Sequence, residues 1–209
     1  MVASIKQIRK FNSLFSDPNM GLAILEKNKI CQIKLFKKFW LVKSLDLYNS
    51  DIHSLAGIEN FQNLKQLSAE ENKVEDLSPL SHLRKLKELN LYNNNIKQID
   101  ELIYCINLKR LNIERNSIEN LSPLTKLPKL EKLNFYNNAF KDISELAHCK
   151  NLTELYIYHP QVIDYKQLSN IHKLKTLYLN HFETNEDDIH EIQNYLPNCK
   201  IKTIMAYVF

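Results

Sequence analysis

The feature that most limits what this chain can fold into is a period. From Leu64 the apolar side chains fall at Leu64, Leu67, Ala69, Val74, Leu77, Leu80 and Leu83, with Asn72 between them, and the frame returns 22 residues later. It comes back as Leu86, Leu89, Leu91, Asn94, Ile96, Ile99, Leu102 and Cys105, then from Leu108 and again from Leu130, with no residue inserted or lost. Backwards it reaches Val42 to Phe61 and, more weakly, Met20 to Phe39; forwards it runs from Leu152 and restarts at Leu174 before breaking. Residues 64–107 laid on 108–151 agree at about half their positions, Cys105 with Cys149 included, the mark of a duplicated two-turn unit.

Each half of the frame dictates a local structure. Apolar residues alternating as LxxLxL suit a short strand with one buried face, paired in parallel with the strand of the next turn. The remainder has an apolar residue every third position, which fits a 3-10 turn that brings i and i+3 onto one side. A single turn cannot close a core, so stability comes from stacking. The Asn column (Asn28, Asn72, Asn94, Asn116, Asn138) turns the chain after each strand, with amides available to unpaired backbone groups of adjacent loops. Ser50, Pro160 and Phe182 interrupt it, and Pro160 has no backbone N–H to donate, so irregularity is expected there.

This LxxLxLxxNxIxxLxxLxxLxx frame resembles the leucine-rich-repeat family over about residues 20–181, in the 22-residue class shared by SDS22-like phosphatase regulators and bacterial internalins. LSPLSHL (Leu77 to Leu83) and LSPLTKL (Leu121 to Leu127) are similar to the internalin convex turn. The resemblance implies an α/β fold: a right-handed solenoid of about eight repeats, a concave parallel sheet, a convex side of 3-10 and irregular turns, and helical end caps. The divisions expected are an N-terminal helical cap over 1–19, repeats over 20–181 and a helix–strand cap over 182–209. Ile5, Ile8, Phe11 and Phe15 have helical spacing, so a helix is predicted over 4–15. Asn185 to Tyr195, acidic in its first turn and ended by Leu196–Pro197, reads as a second helix, followed by a last strand over 200–208.

The alternation that buries the leucines turns three positions per strand to the concave side, and these are expected to face solvent. The middle column reads Asp46, Ser68, Asn90, Asn112, Asn134, Tyr156 and Tyr178; the column two residues on reads Tyr48, Glu70, Tyr92, Glu114, Tyr136, Tyr158 and Asn180. Tyrosine on a rigid sheet supplies apolar area and a hydroxyl at small entropic cost, so Tyr136, Tyr156, Tyr158 and Tyr178 form the preferred contact cluster for a protein partner. Glu70, Arg110, Glu114, Arg115 and Lys132 would rim it. The plainer alternative is that tyrosine is simply a good strand former.

Other chemistry is poorly represented. With two glycines the chain cannot build a phosphate loop, and GxSxG, HExxH and paired CxxC motifs are absent, so no enzyme, small-molecule substrate or cofactor is expected. His159 and His181 sit at equivalent places but lack a third ligand, which favours surface histidines over a metal site. Cys105 and Cys149 fill core slots two turns apart, about 10 Å, beyond disulfide reach, and Cys31 and Cys199 belong near opposite ends.

Residues 1–43 carry nine Lys and Arg against Asp17 and Glu26, so this end is +7 and the remainder −3. Lys34, Lys37 and Lys38 beside Phe36, Phe39 and Trp40 therefore offer a second function, gripping nucleic acid or an anionic membrane; the plainer alternative is a solubilised cap whose aromatics close the core. No apolar run reaches the length of a membrane span, and no h-region with a cleavage site follows Lys6, Arg9 and Lys10, so a cytoplasmic monomer is expected, with signal-less export left open. Usage rich in Lys, Asn and Ile points to an AT-rich bacterial genome, where an effector, regulatory or toxin-neutralising role would fit.

Overall fold

A computed structural model describes residues 11–27, 39–140, 142–157, 164–180 and 184–204. Eight strands form one parallel sheet in strict chain order: β1 (Ser44–Asp46), β2 (Gln66–Ser68), β3 (Glu88–Asn90), β4 (Arg110–Asn112), β5 (Lys132–Asn134), β6 (Glu154–Tyr156), β7 (Thr176–Asn180) and β8 (Lys200–Ile204). From β1 to β7 the pairing keeps a 22-residue offset, with Leu45, Leu67, Leu89, Leu111, Leu133, Leu155 and Leu177 side by side. The last pair breaks it, Leu177 facing Ile201, because helix α2 (Glu186–Tyr195) occupies the connection. The helix predicted from Asn185 begins one residue later, and Asn185 caps it: its side chain accepts from Asp188 N while the Asp188 carboxylate accepts from Asn185 N.

The strands are short for a local reason. Beyond β1–β5 the chain turns into the left-handed region at Asn49, Glu71, Asn93, Arg115 and Asn137, with φ of 43, 52, 54, 53 and 53°. After the last four of these, though not after Asn49, where Ser50 follows, an asparagine then holds two turns at once. Asn94 Oδ1 accepts from Val74 N at 3.0 Å, while its Nδ2 donates to Ala69 O, Leu91 O and Tyr92 O at 2.9, 3.1 and 3.2 Å. Asn72, Asn116 and Asn138 repeat this arrangement, so the fold displays the predicted bonding at these four positions of the Asn column; Asn28, Pro160 and Phe182 lie outside the described residues. The return side consists of 3-10 segments such as Ser78–His82, Asp100–Tyr104 and Ser122–Lys126, whose apolar residues at every third position (Leu77, Leu80, Leu83) are all buried. Leucine and isoleucine stacked from turn to turn form one continuous core between sheet and return side.

The N-terminal end departs from the expected repeat. The weak first turn expected over Met20 to Phe39 starts instead within an α-helix, α1 (Pro18–Lys27), which also contains the boundary expected after residue 19. Met20 and Ala23 satisfy helical spacing as well as the frame, whereas the buried Ile24 fits the helix and not the frame; the local chemistry agrees, since Asp17 accepts from Asn19 N at 2.8 Å and Pro18 occupies the first helical position. Of the helix expected over 4–15, only residues 11–15 are described; they close with Leu14 N to Phe11 O at 3.0 Å and Phe15 N to Asn12 O at 3.1 Å.

The chain's two glycines both serve this end. A Cβ on Gly21 would lie 2.7 Å from Asn12 Oδ1, and one on Gly57 would lie 2.5 Å from Phe15 Cδ1 and 2.6 Å from Leu14 O. Phe11, Phe15, Phe39 and Phe61 are thereby drawn into a ring cluster with centroids 4.9 to 6.3 Å apart, which covers the first turn.

Candidate binding face

The concave sheet carries three columns of side chains, and their environments differ more than alternation alone predicts. In the first column charges pair along the sheet: Arg110 Nη1 donates to Glu88 Oε1 at 2.9 Å, and Lys132 Nζ to Glu154 Oε2 at 2.7 Å. Gln66 Nε2 extends the ladder to Glu88 Oε2 at 3.1 Å. Every pair joins residues 22 apart, so repeat register sets the electrostatics directly.

The other two columns depart from the expected exposure at four positions. Asn112, Glu114, Asn134 and Tyr156 were expected to face solvent and instead have exposures of 4%, 0%, 1% and 7%. Strands about 4.8 Å apart press neighbouring side chains together, and where those are long they cover one another. Glu114 is one of them, two residues beyond β4, with Tyr92 and Tyr136 at the equivalent positions of the neighbouring turns. Asn134 Nδ2 donates to its Oε2 at 2.7 Å, whereas Oε1 has no hydrogen-bond partner. Burial pushes the Glu114 carboxyl up to about 7, with Asn134 and Arg115 opposing the rise.

The remaining predicted contacts fall into two regions. Toward β8, Tyr156 and Tyr178 stack with centroids 4.2 Å apart and planes 3° from parallel. Lys202 covers the outer ring, its Nζ 5.1 Å from the Tyr178 centroid and 3.4 Å from Tyr178 Oη. Burial, and then Tyr178, raises the Tyr156 phenol above its ordinary range. Lys202 lies outside the 22-residue frame because β8 does; the signal available was Ile201, which pairs with Leu177 and leaves Lys202 beside Tyr178. Tyr158, His159 and His181 lie outside the described residues, as do Cys31, Lys34, Phe36, Lys37 and Lys38.

Toward β1, Tyr48 is exposed, with Lys27 Nζ 5.3 Å from its ring centroid and hydrogen bonding to Glu71 raising its phenol. Glu70 accepts from Ser68 Oγ at 2.9 Å, and the Arg115 guanidinium stands 5.6 Å from the Tyr92 ring. Small side chains at Ser44 and Ser68 leave a 410 Å³ depression bounded by Asp46, Glu70, Glu88, Asn90 and Arg110. Tyr92 and Tyr136 are half-buried between the two regions.

Cys105, Cys149 and Cys199 are buried free thiols, pushed by burial to about 12, 12 and 11, as expected of small core residues. Among the described residues no three His, Cys, Asp or Glu side chains converge as a metal would require, and no helix is long and apolar enough to cross a membrane.

Comparisons with known proteins agree with this geometry. The profile of Leucine Rich repeats (2 copies) matches residues 62–104, 84–126, 106–148 and 128–170. An internalin (inlF) of Listeria monocytogenes superposes with a TM-score of 0.73 at 25% identity, covering 88% of this chain and 55% of that one. Internalin C2 of the same species gives 0.57 at 22% identity, covering 93% and 96%. A leucine-rich-repeat protein of Leptospira interrogans gives 0.60 at 26%, covering 77% and 48%. The chain therefore spans about half the length of the first and third of these. A search of curated protein sequences finds no match. Four overlapping profile matches span just over half of the chain, which therefore belongs to the leucine-rich-repeat family and has the fold of the Listeria internalins.

Proposed function

We propose that this chain is a non-catalytic scaffold whose concave face binds a protein partner, with the N- and C-terminal segments serving as caps. The observation that carries the proposal is the set of partly exposed tyrosines on one concave face: Tyr48, Tyr92 and Tyr136 in one column and Tyr178 in the next. Such rings give a partner apolar area without ordering a flexible loop. The pairs Arg110–Glu88 and Lys132–Glu154 form a polar rim, which favours one register of docking over others. Leucine-rich-repeat folds of the internalin kind are typical of protein-binding scaffolds, in keeping with an effector, regulatory or toxin-neutralising setting. Tyr156 enters as the support beneath Tyr178 rather than as a contact of its own.

Affinity capture from the native organism tests the proposal, using wild type beside Tyr92→Ala/Tyr136→Ala and Tyr178→Ala variants, with the captured proteins identified by mass. A defined protein should be held by wild type and lost from the variants. Retention of the same proteins by all of them would remove the concave face from the function.

A further inference from the structure

The turns that lead into the strands carry a charge pattern for which the concave face has no use. Over residues 39–43, 60–65, 82–87, 104–109, 126–131, 148–153 and 170–175 the sequence holds eleven Lys and Arg against a single acid, Glu131. On the opposite side of the strands, over 48–54, 70–76, 92–98, 114–120 and 136–142, eight acids stand against four bases. Because each turn follows the same path, the first set stacks into one long basic edge with a repeat of about 4.8 Å.

Part of this edge is built to hold its charge in place without cancelling it. Lys85 Nζ donates to Asn63 Oδ1, Lys129 Nζ to Asn107 Oδ1 at 2.6 Å and Lys173 Nζ to Asn151 Oδ1 at 2.8 Å. Each asparagine is anchored in turn, its Nδ2 donating to Trp40 O, Arg84 O or Pro128 O at 2.7, 2.8 and 2.7 Å. A neutral amide orients an ammonium and leaves its full charge outward, which a carboxylate would not do. Lys109 is the contrast, ion-paired to Glu131 at 2.6 Å.

The same edge exposes large apolar side chains. Tyr104 and Ile106, ahead of β4, are 47% and 48% exposed; Trp40 and Leu41, ahead of β1, are 57% and 45% exposed. Lysines flanked by exposed aromatic and aliphatic groups match a membrane interface: ammonium groups meet anionic headgroups while rings and aliphatic chains enter the acyl boundary. Ten of the eleven cations are Lys, whereas recognition of duplex phosphates favours the bidentate fork of Arg and has no use for exposed aliphatic chains such as Leu41 and Ile106. We propose that this edge docks the protein on an anionic lipid bilayer, leaving the concave face open to a partner in the aqueous phase. The proposal is independent of the tyrosine face.

Vesicle flotation tests it, with phosphatidylcholine vesicles containing about one-third phosphatidylserine compared with phosphatidylcholine alone. Wild type should float with the anionic vesicles and stay behind with the neutral ones. Lys85→Glu/Lys129→Glu/Lys173→Glu should weaken binding about a hundredfold. Tyr104→Ser/Ile106→Ser should weaken it at unchanged charge, and Tyr136→Ala should leave it intact. Circular dichroism checks folding; if the triple variant unfolds, Lys65→Glu/Lys87→Glu on the exposed strand-leading positions replaces it. Binding indifferent to phosphatidylserine, or a folded charge-reversed variant that floats like wild type, overturns the proposal. So does full vesicle binding by Tyr104→Ser/Ile106→Ser together with equally salt-sensitive binding of duplex DNA, which would mark a general polyanion contact.

Discussion

Asn134 donates its side-chain amide to Glu114 Oε2 at 2.7 Å, joining two buried residues of adjacent turns on the concave face. One hydrogen bond offsets only part of the cost of burying a carboxylate, which is why Glu114 titrates near 7. The sign for stability follows. In the folded chain Glu114 keeps its proton to a higher pH than in the unfolded chain, so stability falls as pH rises from about 4.5 through about 7 and stays reduced above that. Glu114→Gln removes the charge and can still accept from Asn134. It should raise stability at pH 8 by about 2 to 3 kcal/mol and leave it nearly unchanged at pH 4. Urea unfolding of both proteins at the two pH values checks this; an equal difference at both would place the cost in packing rather than charge.

The asparagine ladder predicts a steeper loss. Asn94 links two turns through one accepted and three donated bonds, all to backbone groups, and is itself buried. Truncation strands several of these groups away from water at about 1 to 3 kcal/mol each, so Asn94→Ala should cost about 4 kcal/mol or more. Asn94→Asp should fall only slightly short of that, because a carboxylate can take the Val74 N–H but cannot donate to Ala69 O, Leu91 O or Tyr92 O. Chemical denaturation of the three proteins would measure both. A mild loss for the Asp variant would show that the donated bonds matter little.

Most of the fold was legible because register repeats: once Leu67 and Leu89 are known to be equivalent, strand order, parallel pairing and core follow without long-range information. Two kinds of feature were not legible. At the ends the repeat has no neighbour to copy: Met20 and Ala23 fit helix and strand alike, and Ile24, which the frame would turn to solvent, tells them apart together with the Asp17–Pro18 pair. On the concave face alternation gives the side of the sheet but not the depth. Asn90 and Asn134 occupy equivalent positions, yet Asn90 is half-buried and Asn134 fully buried, because adjoining side chains differ from strand to strand. The lysine edge was hidden for a related reason, since its members are far apart in sequence and align only when the turns are stacked.

Gly57 should prove the least replaceable residue at the N-terminal end. Its φ of 107° is unfavourable for any side chain, and a methyl group would strike Phe15 Cδ1 and the Leu14 carbonyl. Relief would require the segment carrying Phe11 and Phe15 to lift from Phe61. Gly57→Ala should therefore cost about 3 kcal/mol and raise hydrogen exchange first in residues 11–27, ahead of the central strands. A uniform rise along the whole solenoid would instead mean that the cap and the repeats unfold as one unit.

The stacked pair Tyr156 and Tyr178 separates stability from recognition. Tyr156 is 7% exposed and forms the floor of the stack, whereas Tyr178 is half-buried, with Lys202 beside it. Tyr156→Ala removes a buried ring and should cost about 3 to 4 kcal/mol. Tyr156→Phe keeps the ring and should cost less than about 1.5 kcal/mol. Tyr178→Ala exposes the Tyr156 ring to water, gives up part of the stacking and should cost about 1 to 2 kcal/mol. On binding the order should invert: Tyr178→Ala weakens capture of the concave-face partner by at least about tenfold, while Tyr156→Phe binds as wild type. Thermal unfolding and titration of the partner on the same three variants would check both orders. If Tyr178→Ala binds normally while folded, the stack is architecture alone and the contact surface lies nearer Tyr92 and Tyr48.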